Sequence, residues 1–171
     1  MDLQYKKIEQ LHPLLRHPVL EFRTKAAAAG HPLLLVWTFR DAVEQLRIYQ
    51  EGRTYNRETG EWDVTDKAKV KTNAKPGQSS HNVLYLDGSP AALGLDVIPV
   101  DAQGRPLWET PDNVWTVLYA LAGDCGLDPY GDVWGAYLKS DKGHFEEPGW
   151  KLKLDALGCR LPKVTSEGVK L

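Results

Sequence analysis

Two histidines and two acids are the residues of this chain whose types and spacing could do metal chemistry. Residues 140–146 place Asp141 three positions before His144, and an earlier polar segment carries His81. A short apolar run further along contains Asp96. Two imidazoles and one carboxylate with an open position form a catalytic zinc site, whereas structural zinc sites close the shell with four protein ligands. The pattern therefore indicates metal-assisted hydrolysis, with Asp141 free to act as a base.

Asp96 is the preferred carboxylate ligand because of its apolar neighbours. It lies within residues 93–99, where a carboxylate is costly to bury unless it is paired or coordinates a cation. An exposed Asp96 on the solvent face of a strand is one alternative, and the rival acids Asp87 and Asp101 are others. Asp87 stands in a Leu-Asp-Gly-Ser-Pro sequence that predicts a turn. The residues alone leave these alternatives open.

Three further side chains could assist the same chemistry. A zinc-bound water needs a base that takes its proton and later protonates the leaving amine, and Asp141 is the candidate. Glu146 would share the side of a strand with His144 and could orient that imidazole through a hydrogen bond. Arg40 could hold an oxyanion or a substrate carboxylate because its guanidinium fits both. A surface salt bridge is the alternative for Arg40.

Composition places the chain among globular proteins of one domain. It has 171 residues, of which 42% are hydrophobic and 26% are charged. The formal charge of −2 gives no bulk attraction to nucleic acid or anionic membranes. Cys125 and Cys159 lie outside any CxxC pattern and are interpreted as buried thiols. The basic segment 67–75 is interpreted as a solvated face, with contact to an anionic polymer as the alternative.

The elements that must position the candidate residues are predicted from periodicity. Apolar residues recur at helical spacing through residues 3–29, whose prolines are expected to begin or break helical pieces. The run 33–37 predicts a buried strand that ends shortly before Arg40. Asp41 is a suitable N-cap for a helix to about residue 50. The polar connection 53–80 is expected to contain a small hairpin.

The second half of the chain continues the mixture of helices and strands. The remaining predicted elements are a strand at 94–100, a helix that begins at 111–113, short strands at 134–138 and 143–146, and a terminal helix at 150–157. Because the order lacks a regular βαβ alternation, an α+β fold is expected. We predict a single domain over residues 1–171, with a catalytic core at about 33–157, a tail at 158–171 and a small, mainly antiparallel sheet that carries the metal site.

Several segments resemble the zinc D-alanyl-D-alanine carboxypeptidase family, and within it the L-alanyl-D-glutamate peptidase endolysins of bacteriophages. The matching segments keep their order and lie at 38–40, 44–54, 72–82, 126–127, 131–132 and 141–146. The family pattern S-x-H-x-x-G-x-A-x-D is followed later by an acid, two residues and a histidine. Ser79 and His81 match the first part of that pattern.

The resemblance implies a role for each matched residue. The implied zinc ligands are His81, Asp96 and His144. Asp141 would be the general base, Arg40 the arginine that stabilises the substrate, and Ser79 a residue near the site.

The chain departs from the family pattern in one place. The family's aspartate stands seven residues after the histidine, whereas Asp96 stands fifteen after His81. The residue at the family spacing is Gly88, which has no side chain to bind a metal. We expect residues 83–90 to be an inserted hairpin or loop at the rim of a cleft, and Gly94 to occupy the place of the pattern's alanine.

The function that the resemblance implies is hydrolysis of the peptide stems of bacterial peptidoglycan by a Zn²⁺-activated water. The expected bond joins L-Ala to D-Glu. A D-Ala-D-Ala carboxypeptidase is one alternative, and a non-catalytic, zinc-stabilised phage structural or binding protein is another. No signal peptide and no transmembrane run are visible. We therefore expect a monomeric endolysin that neither inserts into membranes nor binds nucleic acid, and that leaves the host cytoplasm through a separate pore protein.

Overall fold

Helices and short antiparallel strands alternate irregularly along the chain, which confirms the predicted α+β class. The structure is a computed structural model, and it describes residues 7–129, 142–165 and 168–169. The helices are α1 (Pro13–Ala28), α2 (Ala42–Gln50), α3 (Asp112–Gly123) and α4 (Trp150–Lys153). None of these helices is both long enough and apolar enough to cross a bilayer.

The central sheet has three antiparallel strands, which lie in the order β1 (Leu33–Trp37), β5 (Gly94–Pro99) and β6 (His144–Glu146). The other strands form antiparallel pairs: β2 (Arg53–Asn56) with β3 (Glu61–Val64), β4 (Leu84–Tyr85) with β7 (Cys159–Arg160), and β8 (Val164–Thr165) with β9 (Gly168–Val169). We confirm the strands predicted at 33–37, 94–100 and 143–146, whose observed boundaries lie within one residue of the prediction. The small hairpin predicted within residues 53–80 is also confirmed, as β2 and β3. The strand predicted at 134–138 lies outside the described residues.

Helix α1 is continuous where its prolines were expected to divide it. Pro13 occupies the first turn, where its missing N–H is no loss, but Pro18 lies inside the helix. An internal proline costs about 3 kcal/mol. The helix nevertheless buries an entire face, including Leu15, Val19 and Phe22. Each such side chain contributes about 1.5–3 kcal/mol when it is buried, so packing outweighs the local penalty.

The main core lies between α1, α3 and one face of the central sheet. Its larger members are Leu11, Leu15, Val19, Phe22, Leu33, Leu35, Leu95, Val97, Trp115, Leu118 and Phe145. Strand β5 contributes alternate residues to this core, Leu95 and Val97, as the period of two requires. The side chain of the intervening residue, Asp96, therefore projects from the opposite face of the sheet.

The expected insertion 83–90 is a tight hairpin that belongs to a second, smaller core. Strand β4 lies within it, and Tyr85 N donates to Ser89 O at 2.9 Å across the turn. The segment from residue 158, expected to be a tail, begins with β7, which pairs with β4. Both segments then bury apolar residues together, including Cys159 beside Trp150. Residues 83–90 thus give the C-terminal segment a strand edge to pair with, which the sequence pattern did not reveal.

Candidate metal centre

The pairing of β5 with β6 places an acid beside a histidine. Asp96 is the partner of His144 in the antiparallel register, and Leu95 is the partner of Phe145. Residues directly opposite in an antiparallel pair project to the same face. Because Leu95 and Phe145 enter the core, Asp96 and His144 project together from the other face of the sheet.

His81 reaches the same place from a different element. It lies in the 3-10 helix Ser80–Asn82, and it is only 2% exposed. Its Nδ1 lies 2.6 Å from the carbonyl oxygen of Thr38. Since a carbonyl can only accept, Nδ1 carries the proton, and the lone pair on Nε2 is available for a metal. That Nε2 atom lies 3.2 Å from Asp96 Oδ1.

Three ligand atoms converge at this point. His144 Nδ1 lies 2.9 Å from Asp96 Oδ1 and 3.3 Å from His81 Nε2. One ligand atom from each of the three residues lies within 4.8 Å of the others. The second nitrogen of His144, Nε2, donates a hydrogen bond to Glu146 Oε2 at 2.9 Å. Both imidazoles therefore direct unprotonated nitrogens at one carboxylate, and this arrangement fits a divalent cation.

The carboxyl group of Asp96 is prepared to act as an anionic ligand. Burial alone would raise its pKa, but His81 and His144 in their protonated forms contribute positive charge and hydrogen bonds that lower the pKa by a larger amount. The net result is a pKa well below the usual range for aspartate. Asp96 therefore stays ionised throughout the neutral range.

Arg40 lies beside the carboxylate and is buried, with only 6% of its surface exposed. Its Nη2 lies 3.4 Å from Asp96 Oδ2, and its Nη1 donates to Gln45 Oε1 at 3.0 Å. The guanidinium also lies over the ring of Trp37, 4.8 Å from the ring centroid. Its Nε is buried and has no hydrogen-bond partner among the described residues. The surface salt bridge considered for Arg40 is therefore wrong, because Arg40 itself is buried.

Two buried amides tie Arg40 to the loop that precedes His81, and sequence reasoning missed both. Gln45 is fully buried, and its Nε2 donates to the carbonyl of Ala74 at 2.7 Å. Asn82 donates from Nδ2 to the carbonyl of Arg40 at 2.8 Å and accepts from Gly77 N at 3.1 Å. The signal for Gln45 was its position on the buried face of α2, where a polar residue needs partners.

Ser80 contacts one of the candidate ligands directly. Its Oγ lies 3.4 Å from His144 Nε2. The predicted serine, Ser79, instead accepts from the backbone N–H of His81 at 3.3 Å and caps the short helix. Ser79 thus stabilises the short helix that carries His81, while Ser80 contacts the imidazole of His144.

The rival acids lie in turns, away from the histidine pair. Asp87 Oδ1 accepts from the N–H and the hydroxyl of Ser89, at 2.8 and 2.6 Å. Asp101 holds a turn through Arg105. The proposed base, Asp141, lies outside the described residues.

The basic segment and the two cysteines have ordinary surroundings. Lys69 pairs with Asp66 and Lys75 with Glu61, as expected for a solvated face. Cys125 and Cys159 are free thiols, and burial raises the pKa of each. A raised pKa disfavours the thiolate, which is the reactive form of cysteine, so we assign neither residue a catalytic role.

Comparison with known proteins identifies solved structures that have a similar fold. No family model and no curated protein sequence matches the chain. A point mutant of the vancomycin-resistance D,D-pentapeptidase VanY in complex with Zn(II) is 17% identical, with a TM-score of 0.55 over 86% of this chain and 78% of that one. VanYB in complex with D-alanine-D-alanine is also 17% identical, with a TM-score of 0.55 over 86% and 76%. The LD-carboxypeptidase LdcB is 21% identical, with a TM-score of 0.51 over 85% and 70%. The chain therefore has the fold of the VanY and LdcB peptidases.

Proposed function

We propose that this chain is a zinc-dependent peptidase that hydrolyses the peptide stems of bacterial peptidoglycan. The observation that carries the proposal is the convergence of His81, Asp96 and His144, whose ligand atoms lie within 4.8 Å of one another. Two imidazoles and one carboxylate leave a coordination position open for water or substrate. The same fold in a Zn(II)-bound D,D-pentapeptidase supports the choice of metal.

Residues around the proposed metal centre would have different roles in the reaction. Bound zinc would polarise a peptide carbonyl and lower the pKa of a coordinated water. Arg40 contributes a buried positive charge, and its Nε–H lacks a partner among the described residues. We assign this guanidinium the stabilisation of the oxyanion or of a substrate carboxylate, because its planar fork fits both. Asp141, three residues before His144 in sequence, is proposed to take the proton from water and return it to the leaving amine.

The scissile bond is the finer part of the proposal. The resemblance of residues 33–147 to phage endolysins supports cleavage between L-Ala and D-Glu, after release of the protein by a separate pore protein. A D-Ala-D-Ala carboxypeptidase is the second candidate, because a structure of the same fold was solved with D-alanine-D-alanine.

Mass spectrometry of digested peptidoglycan tests whether peptide stems are hydrolysed and which bond is cleaved. Zinc-loaded protein is incubated with purified peptidoglycan, with Asp96→Asn as the inactive control. A new N-terminal D-Glu indicates the endopeptidase, and released free D-Ala indicates the carboxypeptidase. If zinc binds but neither product forms, the non-catalytic alternative is correct, and removal of zinc will lower only the thermal stability.

A further inference from the structure

Gly94, the first residue of β5, has no room for a side chain. A Cβ atom built there would lie 2.1 Å from Ser80 Oγ, 2.9 Å from Ser80 Cβ and 3.2 Å from His144 Cε1. Comfortable contacts between such atoms are about 3.5–4.0 Å. Gly94 is not among the glycines with a positive φ, so its backbone does not require glycine. The requirement is one of space, and Ser80 fills that space.

Ser80 cannot move aside without displacing metal ligands. It is only 2% exposed, and its carbonyl accepts from the N–H of Leu93 at 2.9 Å. That hydrogen bond fixes Ser80 to the residue just before Gly94. A rotation of the hydroxyl would remove the contact with Oγ but not the contact with Cβ. The remaining clash can be relieved only by shifting the short helix that carries His81 or the strand that carries Asp96.

Ser80 and Gly94 together bound the ring of His144. Ser80 Oγ lies 3.4 Å from His144 Nε2, and the space above Gly94 lies against His144 Cε1. On the same nitrogen, Glu146 Oε2 lies at 2.9 Å. The glutamate fixes the direction of the N–H, while the serine and the glycine limit how far the ring can tilt.

We infer that Ser80 and Gly94 are an interlocked pair of positioning residues that sets the orientation of His144 toward His81 and Asp96, and thereby the affinity for zinc. The inference rests on the proposed metal centre but not on which peptide bond is cleaved. Residues that orient a metal ligand without touching the metal typically change metal affinity about 10–100-fold when they are mutated.

A double-mutant cycle on the full chain tests the inference. The variants are Gly94→Ala, Ser80→Gly and Ser80→Gly/Gly94→Ala. The measured quantities are the zinc Kd, by competition with a chromophoric chelator, and the Tm of the metal-free protein. Gly94→Ala should weaken zinc binding about 10–100-fold. The double variant should recover most of that loss, because the new methyl group occupies the volume that the serine side chain leaves.

Gly143→Ala is the matched control. A Cβ at Gly143 would lie 2.4 Å from the carbonyl oxygen of Val97, in the same sheet but away from Ser80. Ser80→Gly should therefore rescue Gly94→Ala and leave Gly143→Ala unimproved. If Gly94→Ala alone does not fold, recovery of a folded, zinc-binding double variant still supports the pair.

The outcomes separate this inference from the proposed function. An unchanged zinc Kd in Gly94→Ala, or equal rescue of both glycine variants, overturns the pairing and leaves the proposed function intact. A parent protein that binds no zinc contradicts both.

Discussion

The contact between Glu146 and His144 gives the sharpest prediction about the metal centre. Glu146 is 5% exposed, and its Oε2 lies 2.9 Å from His144 Nε2. Glu146→Ala removes the acceptor that fixes the tautomer, so zinc affinity should fall about 10–100-fold. That loss corresponds to about 1.4–2.8 kcal/mol of binding free energy.

Glu146→Gln should lie between the parent and Glu146→Ala. The amide oxygen can still accept from His144 Nε2, but the bond loses its charge. Hydrogen bonds to charged groups contribute about 1.5–3 kcal/mol and neutral ones about 0.5–1.5 kcal/mol. The difference of about 1 kcal/mol predicts a loss of roughly fivefold in zinc affinity.

The adjacent residue, Glu147, supplies the matched control. It is also buried, with 8% exposure, but its carboxylate forms an ion pair with Lys153, which is not one of the proposed metal ligands. Glu147→Gln should leave the zinc Kd unchanged, as measured by chelator competition at pH 7.5. If Glu146→Gln and Glu147→Gln shift the Kd equally, or if Glu146→Ala does not shift it, the reasoning about His144 is refuted.

Three further predictions follow from the same contacts. Gln45→Ala leaves Arg40 Nη1 and the carbonyl of Ala74 without a side-chain partner, so urea unfolding should show a loss of about 1–3 kcal/mol; an unchanged midpoint would contradict this. Asp141→Ala should keep zinc but lose hydrolysis of peptidoglycan, and full activity in that variant would exclude the residue as the base. Zinc binding should weaken when the pH is lowered from 7 to 4, because protons compete with the metal for the lone pairs of its ligands. The lowered pKa of Asp96 keeps that ligand charged throughout this range, so a zinc Kd that stays constant down to about pH 4 would contradict the histidine ligands.

The local elements could be predicted because their signals are local. The apolar run 33–37, the cap at Asp41 and the Pro-Asp-Asn sequence at the start of α3 each specify a boundary within a few residues. The continuity of α1 through Pro18 could not be predicted in this way. It depends on a face that is buried by α3 and the sheet, which are distant in sequence.

A burial argument favoured Asp96 as the carboxylate ligand, and the family resemblance implied the set of His81, Asp96 and His144. A carboxylate within an apolar run needs a cation, and the structure brings two imidazoles to it. The contributions of Gln45 and Ser80 were not visible, because their partners, Ala74 and His144, lie 29 and 64 residues away in sequence. The spacing of residues in a sequence predicts neighbours within one strand or helix. It does not predict these contacts, because they join segments that are distant in sequence.

A zinc titration of hydrolysis tests the central claim most directly. Metal-free protein receives zinc in steps, and the release of peptide-stem products from peptidoglycan is measured at each step beside Asp96→Asn. We predict that product release rises in proportion to zinc, reaches a plateau at one equivalent per chain, and is absent in the variant. Hydrolysis that persists in the metal-free protein, or that Asp96→Asn retains, would contradict a catalytic zinc held by His81, Asp96 and His144.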